Sequence, residues 1–118
     1  AEDNVTNQKV IALMLKQLGC SFDLAHDGVQ AYEFLEKNNY DMILMDGQMP
    51  RMDGYQTTEK IRASTSLGEK KNIPIIAITA KAIRGDVEKG YSVGMNDYIA
   101  KPVSQVDLEA KLRKLFAA

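Results

Sequence analysis

Apolar positions along the chain follow two alternating rhythms, one of helices and one of short buried strands. Val10, Ile11, Met14, Leu15 and Leu18 recur at the spacing of one helical face, and Gly19 stands where a left-handed C-terminal cap falls, so residues 5–18 are predicted as the first helix. Ser21 to Ala25 suits a short strand, after which Asp27-Gly28 turns the chain into a second helix carrying Ala31, Phe34 and Leu35 inward and fading at Lys37-Asn38-Asn39. A strand at 42–45 precedes a helix over residues 54–64, on which Tyr55, Thr58 and Ile61 share a face. A strand at 75–79 leads to a helix near 83–93, and a last strand at 97–100 reaches Lys101-Pro102. Ser104 and Asp107 then make an N-terminal capping box, Val103 can staple onto Leu108, and Leu108, Leu112, Leu115 and Phe116 form the inward stripe of the final helix.

Strand and helix alternate throughout, which is the order of an α/β fold with a parallel sheet. Met42 to Met45 and Ile75 to Ile78 are continuously apolar rather than alternating, as expected of strands covered on both faces by helices. The predicted architecture is a doubly wound parallel sheet. In such sheets ligands bind beyond the carboxyl ends of the strands, where Asp46, Thr79 and Lys101 all fall.

Composition narrows the classes without choosing among them. The 118 residues suffice for one domain, residues 1–118, with a single core, and 45% hydrophobic and 26% charged residues are ordinary for a soluble globular chain. A net charge of -1 offers no general attraction to a polyanion, so nucleic acid is not an expected partner. A single cysteine, Cys20, excludes an internal disulfide or a cysteine-based zinc site and reads as packing. No apolar run approaches the ~20 residues of a membrane span, so no membrane contact is expected and a cytoplasmic location is the simplest reading.

The chemistry concentrates at one sheet edge. Glu2 and Asp3 precede the first helix, and with Asp46 they bring three negative charges into one cleft, which is costly unless a cation or protons relieve the repulsion. Hard carboxylate oxygens suit Mg2+, and three carboxylates, the Lys101 ammonium and one divalent ion are charge-balanced. A phosphoryl group could then approach Asp46, with Lys101 neutralising it as a point charge. His26, the one histidine, follows the second predicted strand and reads as a surface residue away from the cleft.

Glu2-Asp3, Asp46 followed by Met49-Pro50 and Asp53-Gly54, Thr79-Ala80, and Tyr98 with Lys101-Pro102 resemble, in order and spacing, the receiver domain of two-component response regulators. The resemblance covers nearly the whole chain. It implies a flavodoxin-like five-stranded sheet in the order 2-1-3-4-5. It also implies that Asp46 accepts a phosphoryl group from a phosphohistidine, with Mg2+ held by Glu2, Asp3, Asp46 and the backbone carbonyl of Gln48. Lys101 would pair with the phosphoryl oxygens, Thr79 would hydrogen-bond them after a loop shift, and Tyr98 would turn inward as the switch. The opening Glu-Asp-Asn-Val-Thr-Asn-Gln further resembles receivers of hybrid sensor histidine kinases, which implies a histidine kinase or a histidine phosphotransfer domain as partner. Asn4, Asn7 and Gln8 in that run also read as ordinary capping and surface residues of the first helix. Receivers place an apolar strand directly ahead of the acidic pair, where Ala1 alone stands here, so that central strand is expected largely outside these 118 residues.

Rival readings differ at named positions. A phosphatase resembling haloacid dehalogenases would need a second aspartate where Gln48 stands, and a flavin binder would need more phosphate donors than Gly47-Gln48-Met49-Pro50 provides. The remaining alternative is a pseudo-receiver, an interaction module that is not phosphorylated.

Overall fold

The backbone ladder forms where unbroken apolar runs allow strands to be covered on both faces. The structure is a computed structural model describing residues 1–47, 49, 52–79, 84–101 and 103–116, without the side chains of 84–86 and 115–116. Its helices are α1 (Val5–Gln17), α2 (Gly28–Lys37), α3 (Gly54–Ala63), α4 (Arg84–Val93) and α5 (Gln105–Phe116), with a 3-10 turn at Gly68–Asn72. Its strands are β1 (Ile43–Asp46), β2 (Ile75–Thr79) and β3 (Asp97–Ala100), all parallel in the order β1-β2-β3. Asp46 lies opposite Ile78, and Thr79 opposite Ala100, so the three carboxyl ends are level.

β2 is central among these strands and carries two cores. Ile75 and Ala77 pack with Tyr32, Leu35, Met45 and Ile61 on one face, while Ile76 and Ile78 pack with Ile11, Leu15, Ile99 and Leu108 on the other. Each β2 side chain from Ile75 to Ile78 is buried, which is why the segment has no polar alternation. The helix starts are capped as their sequences direct. Asn4, Asp27 and Asp53 each accept the N–H three residues on, Gln56 completes a capping box with Asp53, and Ser104 Oγ accepts the Asp107 N–H. Gly19 ends α1 with φ of +79°, the left-handed geometry expected of it.

Three expectations are corrected. Residues 21–25 do not form a strand, and their tie to the neighbouring chain is the Glu2 N–H bond to the Ala25 carbonyl. Between this segment and β1 lies a trough of about 660 Å3 lined by Ile11, Leu15, Ala25, Leu35, Leu44 and Ile78, which Ala1 and Glu2 also line. Among the described residues the sheet has three strands. Met42, Ile43 and Leu44 are only half-buried, and Met45 alone of that run is fully covered. Val10, assigned to the inward stripe of the first helix, is 44% exposed because Ile11 and Leu15 take the face toward the sheet. The expected helix start at residue 83 and the Leu115 and Phe116 side chains lie outside the described residues. Among the described residues, no helix is long and apolar enough to cross a membrane.

Two polar anchors hold helices to the sheet. Arg62 on α3 donates to the carbonyls of Lys71, Ile73 and Gly94 and to Asn96 Oδ1, tying two connecting segments to one guanidinium. Asp97 on β3 accepts from Lys111 Nζ at 2.9 Å and Lys114 Nζ at 3.4 Å, pinning α5. Burial opposes ionisation of Asp97, but the Lys111 hydrogen bond, the Tyr98 N–H and both lysines outweigh it and hold its carboxyl below the ordinary range.

The folded chain thus binds the Asp97 proton more weakly than the unfolded chain. This stabilisation is complete above pH ~4 and is lost as pH falls through the lower folded value. Asp97→Asn should cost on the order of 2 kcal/mol at neutral pH and flatten the acid limb of stability measured by urea denaturation. Gly54 tests the packing of α3 against β1. A Cβ there would lie 2.1 Å from the Asp46 carbonyl oxygen and 2.9 Å from the Met45 side chain. Gly54→Ala should cost at least about 2 kcal/mol, more than Gly19→Ala, where no atom lies within 4 Å of the added methyl.

Candidate functional site

Strand ends and a two-residue wedge assemble the site. Asp46 closes β1 and is 4% exposed. Its backbone N–H donates to the Ala1 carbonyl at 2.9 Å, the Ala1 ammonium donates to the Leu44 carbonyl at 2.5 Å, and the Glu2 N–H donates to Ala25 at 3.0 Å. These bonds seat Ala1-Glu2 against the end of β1 and fix the acidic pair beside Asp46. On the other side of Asp46, the close approach of Gly54 lets the start of α3 abut the Asp46 carbonyl, with the Gly54 N–H bonded to Gly47.

The charges converge as the sequence suggested. One carboxylate oxygen from each of Glu2, Asp3 and Asp46 lies within 4.8 Å of the others, with Glu2 and Asp46 buried and Asp3 exposed. Lys101 Nζ is 3.0 Å from Asp46 Oδ2 and 3.3 Å from Glu2 Oε2. Burial works against the Lys101 charge, but Asp46 and then Glu2 prevail and raise its affinity for a proton. Burial likewise opposes ionisation of Glu2, yet its contact with Asp46, the Asn7 hydrogen bond, the Lys101 charge and the Asn4 N–H together hold it below the ordinary range.

The two Glu2 oxygens have different surroundings. Oε1 accepts the Asn4 N–H at 3.3 Å and Asn7 Nδ2 at 3.1 Å. Oε2 is buried and has no hydrogen-bond partner among the described residues, so its 3.3 Å contact with Lys101 is an ion pair only. A buried oxygen of this kind, in a cluster where three carboxylates meet one ammonium, fits a hard divalent cation such as Mg2+. Gln48, expected to add a backbone carbonyl, lies outside the described residues, as do Pro50, Ala80 and Pro102 from the sequence motif and Lys81.

Thr79 and Tyr98 border the same edge. The Thr79 carbonyl accepts the Lys101 N–H at 2.7 Å, which ties the end of β2 to the lysine. Tyr98 is half-buried and lines a small slot with Tyr55, Thr79, Val87 and Met95. Lys111 lies over its ring at 5.3 Å. His26 is exposed, as expected, but less remote than its position suggests. Its Nδ1 is 3.2 Å from Gln8 Nε2, which also donates to the Glu2 carbonyl. The contacts of Asn7 and Gln8 with Glu2 were missed by sequence reasoning, and the available signal was their place one turn after an acidic pair and an N-cap.

This edge has close parallels among known proteins. The receiver domain of the sensor histidine kinase PA1611 from Pseudomonas aeruginosa PAO1, solved with magnesium coordinated in its active site cleft, is 43% identical, with a TM-score of 0.89 over 100% of this chain and 94% of that one. The receiver domain of Saccharomyces cerevisiae Ssk1, solved in complex with the histidine phosphotransfer protein Ypd1, is 30% identical, with a TM-score of 0.88 over 98% of this chain and 85% of that one. Hybrid signal transduction histidine kinase B of Dictyostelium discoideum is 40% identical over 96% of this chain, which spans only 6% of that kinase. The response regulator receiver domain family matches residues 1–113, and the chain belongs to that family of two-component and phosphorelay signalling domains.

Proposed function

We propose that residues 1–118 act as one phosphoacceptor domain, taking a phosphoryl group from a phosphohistidine onto Asp46. The observation that carries this reading is a buried Asp46 at the end of β1, with Lys101 Nζ at 3.0 Å and the Glu2 and Asp3 carboxylates within 4.8 Å. Glu2, Asp3 and Asp46 would hold Mg2+, joined by the carbonyl of Gln48. When bound, the ion supplies positive charge to oppose that developing on the phosphoryl oxygens.

An Asp46 carboxylate oxygen attacks phosphorus in line as the P–N bond to the donor imidazole breaks and its electron pair returns to the ring nitrogen. Little acid-base chemistry is needed, because a carboxylate oxygen attacks without a separate base to activate it and the work is positioning and charge neutralisation. Lys101 moves its ammonium from the Asp46 carboxylate to a phosphoryl oxygen. Thr79 offers its hydroxyl to another, and Tyr98 turns into the slot it shares with Thr79 and Tyr55. One further negative charge and three strong acceptor oxygens at one point favour the surface of α4, β3 and α5 in its alternative arrangement, which is how a partner reads the state.

The donor is a histidine kinase or a histidine phosphotransfer domain. The complex of the Ssk1 receiver with Ypd1 and the kinase relatives support that class.

Intact mass of the purified chain with Mg2+ and acetyl phosphate tests the assignment. One phosphoryl group should be gained, it should require Mg2+, and Asp46→Asn should not gain it. A folded parent chain that gains none would instead favour a pseudo-receiver. Lys101→Gln removes the ammonium without adding charge, and should slow phosphorylation at least about a hundredfold while the chain still binds Mg2+ in a calorimetric titration.

A further inference from the structure

We propose that Asn7 is a positioning residue for the cation site, holding one Glu2 oxygen so that the other faces the site. The inference rests on the metal reading above. Asn7 occupies the third position of α1, after the N-cap Asn4, whose side chain takes the Asn7 backbone N–H at 3.0 Å. In an ordinary capping box the third residue reaches back to the backbone N–H of the N-cap. Here the Asn4 N–H goes to Glu2 Oε1 instead, and Asn7 Nδ2 goes to the same oxygen. The carboxylate has been interposed in the box.

Three consequences follow from that substitution of partners. Glu2 is locked about its terminal bond, because both donors engage Oε1 and leave Oε2 to face Lys101, the ammonium that also pairs with Asp46. The lock is built on the helix start, so the cation site and α1 become one rigid unit. The chemistry also accounts for asparagine at this position. Its amide donates without charge, whereas a glutamate, the usual capping-box residue, would set a fourth carboxylate against the other three. Gln8 adds to the clamp from the next position by donating to the Glu2 carbonyl. Partners of this kind orient metal-ligating carboxylates, and their loss typically weakens metal binding about tenfold or more.

A double-mutant cycle on Mg2+ affinity, read by isothermal titration calorimetry, tests the role. Asn7→Leu, close in shape but unable to donate, should weaken Mg2+ binding about tenfold in a chain whose circular dichroism shows it folded, and Asn7→Ala should do the same if the leucine variant misfolds. In the Glu2→Ala background the Asn7 substitution should add little, because its effect passes through Glu2. Unchanged affinity in a folded Asn7 variant overturns the proposal, and so does a loss of equal size in both backgrounds. A parent chain that binds no Mg2+ overturns the metal reading and this inference together.

Discussion

Confinement of three carboxyl groups beside one ammonium at the end of β1 is the constraint on which the rest of the structure depends. Acidic groups coexist at such separations in a partly dry site only where protons, an ammonium or a cation are shared among them, and Lys101 supplies one such charge. Side chains free to rotate would separate. They are held because the backbone leaves little choice: Asp46 is the last rung of a parallel ladder, and Ala1-Glu2 is bonded on one side to β1 and on the other to Ala25. The energy of two cores therefore maintains an arrangement that the site alone would not adopt, which is the usual relation between a scaffold and a preorganised charge cluster.

The same ladder gives the site a route outward. β2 and β3 end level, the Lys101 N–H is bonded to the Thr79 carbonyl, and Tyr98 stands beside Thr79 in a shared slot. Lys101 and Thr79 are thereby joined through the backbone to the end of β3. Asp97, the neighbour of Tyr98, grips Lys111 and Lys114, so α5 is fastened to the strand that carries the aromatic switch candidate. α1 is fastened at the opposite side through Asn4, Asn7 and Glu2.

Legibility in the sequence varied with how local the cause was. The helices, the cap at Ser104 and the left-handed Gly19 depend on neighbours a few residues away, and they stand where the pattern placed them, while the caps at Asp27 and Asp53, equally local, were read only as a turn and a motif. β2 and β3 were legible because a run such as Ile75 to Ile78 has one stable environment, a sheet covered twice. Residues 21–25 were misread because a strand is defined by its partner, and extended propensity cannot supply one. The Arg62 and Asp97 anchors were invisible for a related reason: their partners lie far away in sequence, and nothing local distinguishes such a residue from a solvated surface charge.

The functional edge divides along the same line. Residue types and spacing by themselves determined an alternating α/β order and singled out the carboxyl edge, with Glu2, Asp3, Asp46, Thr79 and Lys101 as candidate chemistry, because short-range preference and charge type are written into the chain. Only the tertiary structure decided that Glu2 is buried with one oxygen tied to Asn7 and the other ion-paired with Lys101, that Lys101 bridges two carboxylates, and that Gly54 brings α3 against the Asp46 carbonyl. Orientation and contact arise from the packing of segments distant in sequence, where distances of a few tenths of an ångström separate a hydrogen bond from an ion pair.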